Sequence, residues 1–141
     1  MLSPQIYYAL LFFVSTYAFL RGCADERIAA ATCILATFAT NLVYSPRGGY
    51  VDVELGVLMV DIGALSVFTV LALRSDRFWP LWIAGLQLAT VIAHVLKSVE
   101  LDLMPQAYAA AARFWVYPIF LIIVAGTFRS ARRRALVEVR W

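Results

Sequence analysis

Five long apolar runs separated by short polar segments constrain this chain more than any other feature of its sequence. Each run approaches or reaches the length of about 20 residues that an α-helix needs to cross the hydrocarbon core of a bilayer. The runs cover residues 4–20, 28–44, 55–73, 78–96 and 107–128. The sequence therefore predicts an all-α fold, in which residues 1–141 form a single polytopic bundle of five transmembrane helices.

The composition agrees with an integral membrane protein. Of the 141 residues, 63% are hydrophobic and only 15% are charged, whereas soluble domains average about 45–50% apolar and about 25% charged residues. Because the apolar runs take up most of the chain, little is left for soluble loops. Any site must therefore lie within the helices or at their ends.

Lysine and arginine are unequally divided between the two ends of the predicted bundle. One end carries two of them, Arg47 and Lys97. The other end carries nine, namely Arg21, Arg27, Arg74, Arg77, Arg129, Arg132, Arg133, Arg134 and Arg140. Because positive residues are retained on the cytoplasmic side, we expect the N-terminus outside and the C-terminus in the cytoplasm, most simply in a bacterial inner (plasma) membrane.

Residues 129–141 are predicted to form a basic cytoplasmic tail that follows the last span directly. A basic segment in this position is typical of contact with anionic lipid, which we assign to Arg129, Arg132, Arg133 and Arg134. Nucleic-acid binding is not expected, because the tail lacks aromatic side chains interleaved with the basic ones for base stacking.

Two charged residues interrupt the apolar runs. Asp61 lies six residues inside the run 55–73, and Arg113 lies six residues inside the run 107–128. Both runs are predicted to start at the outer surface, so both charges lie about 9 Å deep at about 1.5 Å per residue. A charge at membrane depth normally faces the bundle interior and pairs with a partner. We expect Asp61 and Arg113 to pair, either to set the register of the helices or as part of a functional site.

Further polar residues fall near the same depth. Asn41 lies three residues before the end of the second run, and His94 lies two residues before the end of the fourth. Helical spacing places Gln87 on the face of His94 and Tyr117 on the face of Arg113. Together with Tyr108 near an outer end, they suggest a buried polar cluster or ligand site that opens outward.

No catalytic arrangement is recognised in the sequence, and no catalytic residue is predicted. The chain has one histidine, and its two cysteines, Cys23 and Cys33, are not paired with other ligands at short spacing. Zinc sites need several such ligands, so no metal site is predicted. The identity of any cofactor stays open.

Three functions fit this pattern. The favoured one is a non-catalytic subunit or assembly factor that contacts the lipid bilayer and other membrane proteins or a second copy of itself. The alternative is a small oligomeric transporter or channel with an outward-facing polar site for an ion or small polar solute. A further alternative is a quinone- or cofactor-binding membrane subunit that uses His94, Tyr108 and Tyr117.

Overall fold

The computed structural model describes residues 3–43, 50–99 and 114–139. Within these ranges the chain forms α-helices and no strand, which confirms the all-α prediction. The described helices are α1 (Pro4–Arg21), α2 (Ala24–Val43), α3 (Tyr50–Arg74), α4 (Trp79–Val99) and α5 (Val116–Glu138).

Helices α2 and α5 extend beyond the ends of their apolar runs. Helix α2 begins at Ala24, before its apolar run, and has Asp25 and Glu26 in its first turn, where negative charge is stabilised by the helix dipole. Helix α5 continues to Glu138. Residues 129–138, predicted as a tail beyond the last apolar run, are therefore a helical continuation of α5, as expected for a segment rich in alanine and arginine.

Helices α1 and α2 are joined by a very short connection that requires glycine. The Gly22 N–H donates to the carbonyl of Ala18 at 2.8 Å and closes the last turn of α1. A Cβ atom at Gly22 would lie 2.8 Å from the Cβ of Glu26, closer than real side chains approach. The two helices can turn back on each other here only because this position lacks a side chain.

The helices pack as a closed ring in chain order. Each helix contacts the next, α5 returns to contact α1, and α5 also contacts α2. Small residues are buried on the first two helices, namely Ala18 on α1 and Ala29 and Ala30 on α2. The rest of the core comes mainly from larger side chains of the other three helices: Phe68, Leu71, Ile83, Ile119, Phe120 and Ile123.

The described helices expose many large apolar side chains in addition to the apolar core that they form. Bulky apolar side chains are exposed on every described helix, for example Phe13, Leu35, Leu73, Trp82 and Leu121. Several polar side chains are buried beside the apolar core, among them Glu26, Gln87, Thr90, Thr127 and Ser130. Extensive exposed apolar surface is typical of contact with a membrane or with other proteins.

Two of the described helices are long and apolar enough to cross a membrane. They are the segments Leu55–Arg74 of α3 and Trp79–Leu96 of α4. Only 17% of the first segment and 33% of the second are buried inside the protein. Neither segment is therefore enclosed by protein as the core helix of a soluble domain would be.

The contact between α4 and α5 generates a prediction about glycine. A Cβ at Gly126 would lie 3.1 Å from the indole ring of Trp79, whereas a Cβ at Gly85 of α4 would meet no atom within 4 Å. We expect Gly126→Val to lower the free energy of unfolding by about 1–3 kcal/mol through overpacking. Gly85→Val is the matched control and should cause no loss, because valine is a slightly better helix former than glycine.

The measurement is unfolding of the detergent-solubilised protein by titration with sodium dodecyl sulfate, followed by circular dichroism. Equal unfolding midpoints for the two glycine variants would show that the close approach of Trp79 to α5 is not required for stability.

Candidate functional site

The carboxylate of Asp61 is held by two side chains of the neighbouring helix α4. Its Oδ1 accepts a hydrogen bond from Nε2 of Gln87 at 3.1 Å. Its Oδ2 lies 3.1 Å from Nε2 of His94. The Gln87 amide also lies 3.3 Å from the backbone carbonyl oxygen of Asp61. We call Asp61, Gln87 and His94 the Asp61 cluster.

The positions of these residues along α3 and α4 explain why they meet. The two helices are joined by the short connection 75–78 and therefore run antiparallel. Gln87 and His94 are seven residues apart, which is two helical turns, so both side chains project from one face of α4. The Asp61 carboxylate lies between these two side chains and contacts both of them.

The Asp61 cluster combines a carboxylate with an imidazole, a pair that can share a proton. The contact is an ion pair when the imidazole is protonated, and a hydrogen bond from the imidazole N–H to the carboxylate when the imidazole is neutral. The side chains of Asp61 and His94 keep 19% and 22% of their surface exposed. The pair is therefore mostly buried but still accessible to a small ion or a proton.

Other residues predicted for this site lie elsewhere or outside the described ranges. Arg113 and Tyr108 belong to the residues that the structure does not describe, so their pairing stays a prediction. Asn41 bonds to Tyr8 of α1, whose hydroxyl donates to Oδ1 at 3.1 Å and accepts from Nδ2 at 3.0 Å. Tyr117 is half-buried in the first turn of α5. Among the described residues, Asn41 and Tyr117 make no hydrogen bond to the Asp61 cluster.

A second polar group lies at the opposite end of the bundle, and the sequence analysis did not anticipate it. Its centre is the carboxylate of Glu26, whose side chain is completely buried. Oε1 accepts hydrogen bonds from Nη1 of Arg77 and from the hydroxyl of Ser130, each at 2.6 Å. Oε2 accepts from the backbone N–H of Cys23 at 2.8 Å. We call Cys23, Glu26, Arg77 and Ser130 the Glu26 cluster.

Arg77 extends this group in two directions. Its Nη1 also donates to the hydroxyl of Ser130, and its Nη2 lies 3.9 Å from the sulfur of Cys23. Its backbone N–H donates to the hydroxyl of Ser75 at 3.3 Å, and that hydroxyl donates to Oδ2 of Asp25 at 2.8 Å. The Glu26 cluster thus connects the start of α2, the α3–α4 connection and the extension of α5.

Two signals in the sequence could have led to the Glu26 cluster. Glu26 and Arg77 are opposite charges that flank apolar runs at the same predicted end of the bundle. Ser130 is a small uncharged residue within the arginine-rich stretch RSARRR, and it is buried while its neighbour Arg129 is exposed. These charges were counted only for orientation, because an aspartate inside an apolar run is the more conspicuous anomaly.

The four arginines assigned to lipid headgroups are all exposed on the extension of α5. Arg134 also donates to the backbone carbonyl of Arg21, at the end of α1. In the described part of the chain, no three His, Cys, Asp or Glu side chains are grouped closely enough to hold a metal ion. His94 and Tyr117 remain candidates for the quinone- or cofactor-binding alternative, which stays a prediction.

Comparison of the chain with protein-family models, curated protein sequences and solved structures finds no match.

The buried carboxylate generates a prediction about stability. Arg77→Met removes the partner of Glu26 and leaves a buried unpaired charge, which should lower the free energy of unfolding by about 3–5 kcal/mol. Glu26→Gln should cost less, because the Arg77 side chain is 28% exposed and can turn its charge toward solvent. The double variant Glu26→Gln/Arg77→Met should recover part of the loss caused by Arg77→Met alone.

Unfolding in mixed detergent micelles, followed by circular dichroism, measures these differences. Arg132→Gln removes an exposed charge from α5 and is the control, with little expected effect. If Arg77→Met behaved like this control, the ion pair would not stabilise the fold.

Proposed function

We propose that this chain is a small integral membrane protein with five spans, which acts as a non-catalytic subunit or assembly factor of a membrane complex. The observation that carries the membrane part of the proposal is the pair of long apolar helix segments, Leu55–Arg74 and Trp79–Leu96, whose large apolar side chains are mostly exposed while the charged groups Asp61 and Glu26 have partners within the protein. Lipid is the solvent that favours this distribution, because polar groups in hydrocarbon must find partners within the protein.

The serine and threonine hydroxyls support the same environment. Ser66 and Thr69 are exposed and Thr32 is half-buried, yet each donates to the carbonyl four residues earlier in its own helix, at 2.7–2.8 Å. Thr90 and Thr127 do the same in less exposed positions. Back-bonding of this kind satisfies a hydroxyl where water is not available.

The proposed orientation places the Glu26 cluster at the cytoplasmic surface. The bond from Arg134 to the end of α1 brings the arginine-rich extension of α5 to the same end of the bundle as the α1–α2 turn. Concentration of arginine at one end is the pattern of a cytoplasmic surface. The Asp61 cluster then lies within the hydrocarbon region of α3 and α4, and the bacterial inner membrane is the proposed location.

This topology predicts the accessibility of single cysteines. In a background of Cys23→Ala and Cys33→Ala, a membrane-impermeant maleimide should label Val99→Cys in intact cells. It should label Asp76→Cys and Arg132→Cys only after the membrane is opened. Labelling of Asp76→Cys and Val99→Cys from the same side would contradict the proposal that α4 spans the membrane.

The subunit role is supported by the contacts within the two polar clusters, which join helices to each other. In the Asp61 cluster both carboxylate oxygens are engaged by α4, and in the Glu26 cluster three donors converge on one buried carboxylate. Both arrangements tie helices to each other, as expected of a rigid body that presents its outer surface to other molecules. That surface carries exposed side chains such as Phe13 and Leu121, which suit packing against lipid, other membrane helices or a second copy.

The transporter or channel is a second candidate, and one observation favours it. Asp61 and His94 form an ionisable pair within the two most apolar helix segments and stay partly exposed. Ionisable residues at membrane depth often mark ion or proton pathways. In this case the chain would act as an oligomer, with the Asp61 cluster facing the pathway.

Two measurements on the same samples separate the two candidates. If the chain is a subunit, native mass spectrometry after gentle purification should show other membrane proteins bound in fixed ratio. Asp61→Asn and His94→Gln should each weaken folding, and the double variant should be tolerated better than the worse single variant.

If the chain is a transporter, it should purify as a homo-oligomer and carry flux in proteoliposomes. Asp61→Asn should then fold normally and abolish the flux. Identical functional loss in the single and double variants, with normal folding in all three, would overturn the subunit proposal.

A further inference from the structure

A groove of about 310 Å³ lies beside the Glu26 cluster, between the extension of α5 and the loops that it covers. Its lining residues come from the α1–α2 turn, the α3–α4 connection and α5: Cys23, Arg77, Ser130, Arg133, Arg134, Val137 and Glu138. We propose that this groove binds a phosphate group, supplied by the headgroup of an anionic lipid. The lipid source rests on the membrane orientation proposed above, whereas the phosphate chemistry rests on the groove itself.

The α5 wall of the groove is one face of a helix. Ser130, Arg133, Arg134 and Val137 follow the spacing of three, four and seven residues, which aligns side chains along a single stripe. Arg129 and Arg132 fall outside this stripe and do not line the groove. The structure thus divides the arginine-rich stretch into two pairs, of which only Arg133 and Arg134 face a concave surface.

Arg77 is held in a fixed orientation at the inner wall of the groove. Its guanidinium is positioned by Glu26 and Ser130 and lies against Cys23. A guanidinium has five N–H donors, and these three contacts use at most three of them. The side chain keeps 28% of its surface exposed. A planar donor group that is already oriented loses little entropy when it binds phosphate.

Arg134 is also oriented before any ligand binds. It donates to the carbonyl of Arg21, one of the last carbonyls of α1, and this bond keeps its positive charge next to the groove. Arg133 is adjacent and exposed. Three arginines therefore surround the groove, opposed by the exposed Glu138 and by Glu26, whose charge is buried and paired with Arg77. The balance is positive and favours an anion.

The size and position of the groove favour a headgroup. Its volume is at the lower end of the range of about 300–1,000 Å³ that small-molecule sites occupy, enough for a phosphate and its polar substituent. The groove lies where the α1–α2 turn and the α3–α4 connection leave the proposed hydrocarbon region, and Val137 adds an apolar surface at its edge. Basic pockets at the cytoplasmic ends of transmembrane helices are suited to lipid phosphates.

Labelling of Cys23 can report whether the groove is occupied, because the partly exposed thiol of Cys23 lines the groove. The full chain carrying Cys33→Ala is placed in nanodiscs of phosphatidylcholine, with or without phosphatidylglycerol, and the rate of maleimide labelling of Cys23 is measured. A parallel sample contains phosphatidylcholine and inorganic phosphate in the buffer. We expect phosphatidylglycerol to slow the labelling of Cys23 in a saturable manner.

Two pairs of substitutions test which arginines are responsible. Arg133→Gln/Arg134→Gln should weaken protection by about 30-fold, or about fivefold for each arginine. Arg129→Gln/Arg132→Gln removes the same charge from the same helix and should leave protection nearly unchanged. Arg133→Gln alone keeps the bond from Arg134 to α1, so it should fold normally and weaken protection by about fivefold.

Each outcome has a distinct meaning. Protection by phosphatidylglycerol but not by inorganic phosphate supports the headgroup, whereas equal protection by inorganic phosphate supports the site with a soluble ligand. The proposal is overturned if both pairs of arginine substitutions weaken the protection of Cys23 equally, or if phosphatidylglycerol does not protect Cys23 at all. Either result would indicate that the arginines attract anionic lipid without a defined site. An error in the proposed membrane orientation would be detected separately, because Asp76→Cys and Val99→Cys would then be labelled from other sides of the membrane than proposed.

Discussion

The buried carboxylate of Glu26 is the interaction on which the arginine-rich end of this bundle depends. It receives donors from Arg77, Ser130 and the backbone of Cys23, and these groups come from the α1–α2 turn, the α3–α4 connection and α5. An unpaired carboxylate could not be removed from solvent in this position at an acceptable free energy. Once the carboxylate is buried, all three partners are required, so a single charged group fixes the relative positions of distant parts of the chain.

The remaining helix contacts combine close packing with hydrogen bonds. In lipid, the proposed environment, apolar side chains gain little by moving into the protein, so these two kinds of contact must hold the helices together. The described residues provide both. Ala18, Ala29 and Ala30 are buried small residues, Gly126 admits the indole of Trp79, and the hydroxyls of Tyr7 and Thr37 bond across the α1–α2 contact at 2.7 Å.

The two polar clusters serve this architecture differently. The Glu26 cluster connects several elements at the end of the bundle, has a fully buried acid, and lies beside a groove lined by arginine. Among the described residues, the Asp61 cluster connects α3 and α4, lies within the two most apolar helix segments, and stays partly exposed. The first is therefore the better candidate for a structural tie with an adjacent anion site. The second is the better candidate for any proton or ion chemistry.

The all-α fold was determined by the sequence itself, because long apolar runs and their polar breaks are local properties of the chain. The anomaly of Asp61 was equally visible, since a charge among thirteen uncharged neighbours can be counted in the sequence alone. The partners of that charge were decided by the tertiary structure. Depth matching predicts Arg113, which lies outside the described residues. The described contacts of Asp61 come from Gln87 and His94, and the sequence does not specify them because the rotation of each helix about its axis is set by packing. The Glu26–Ser130 bond joins residues 104 positions apart, a separation over which no local pattern carries information.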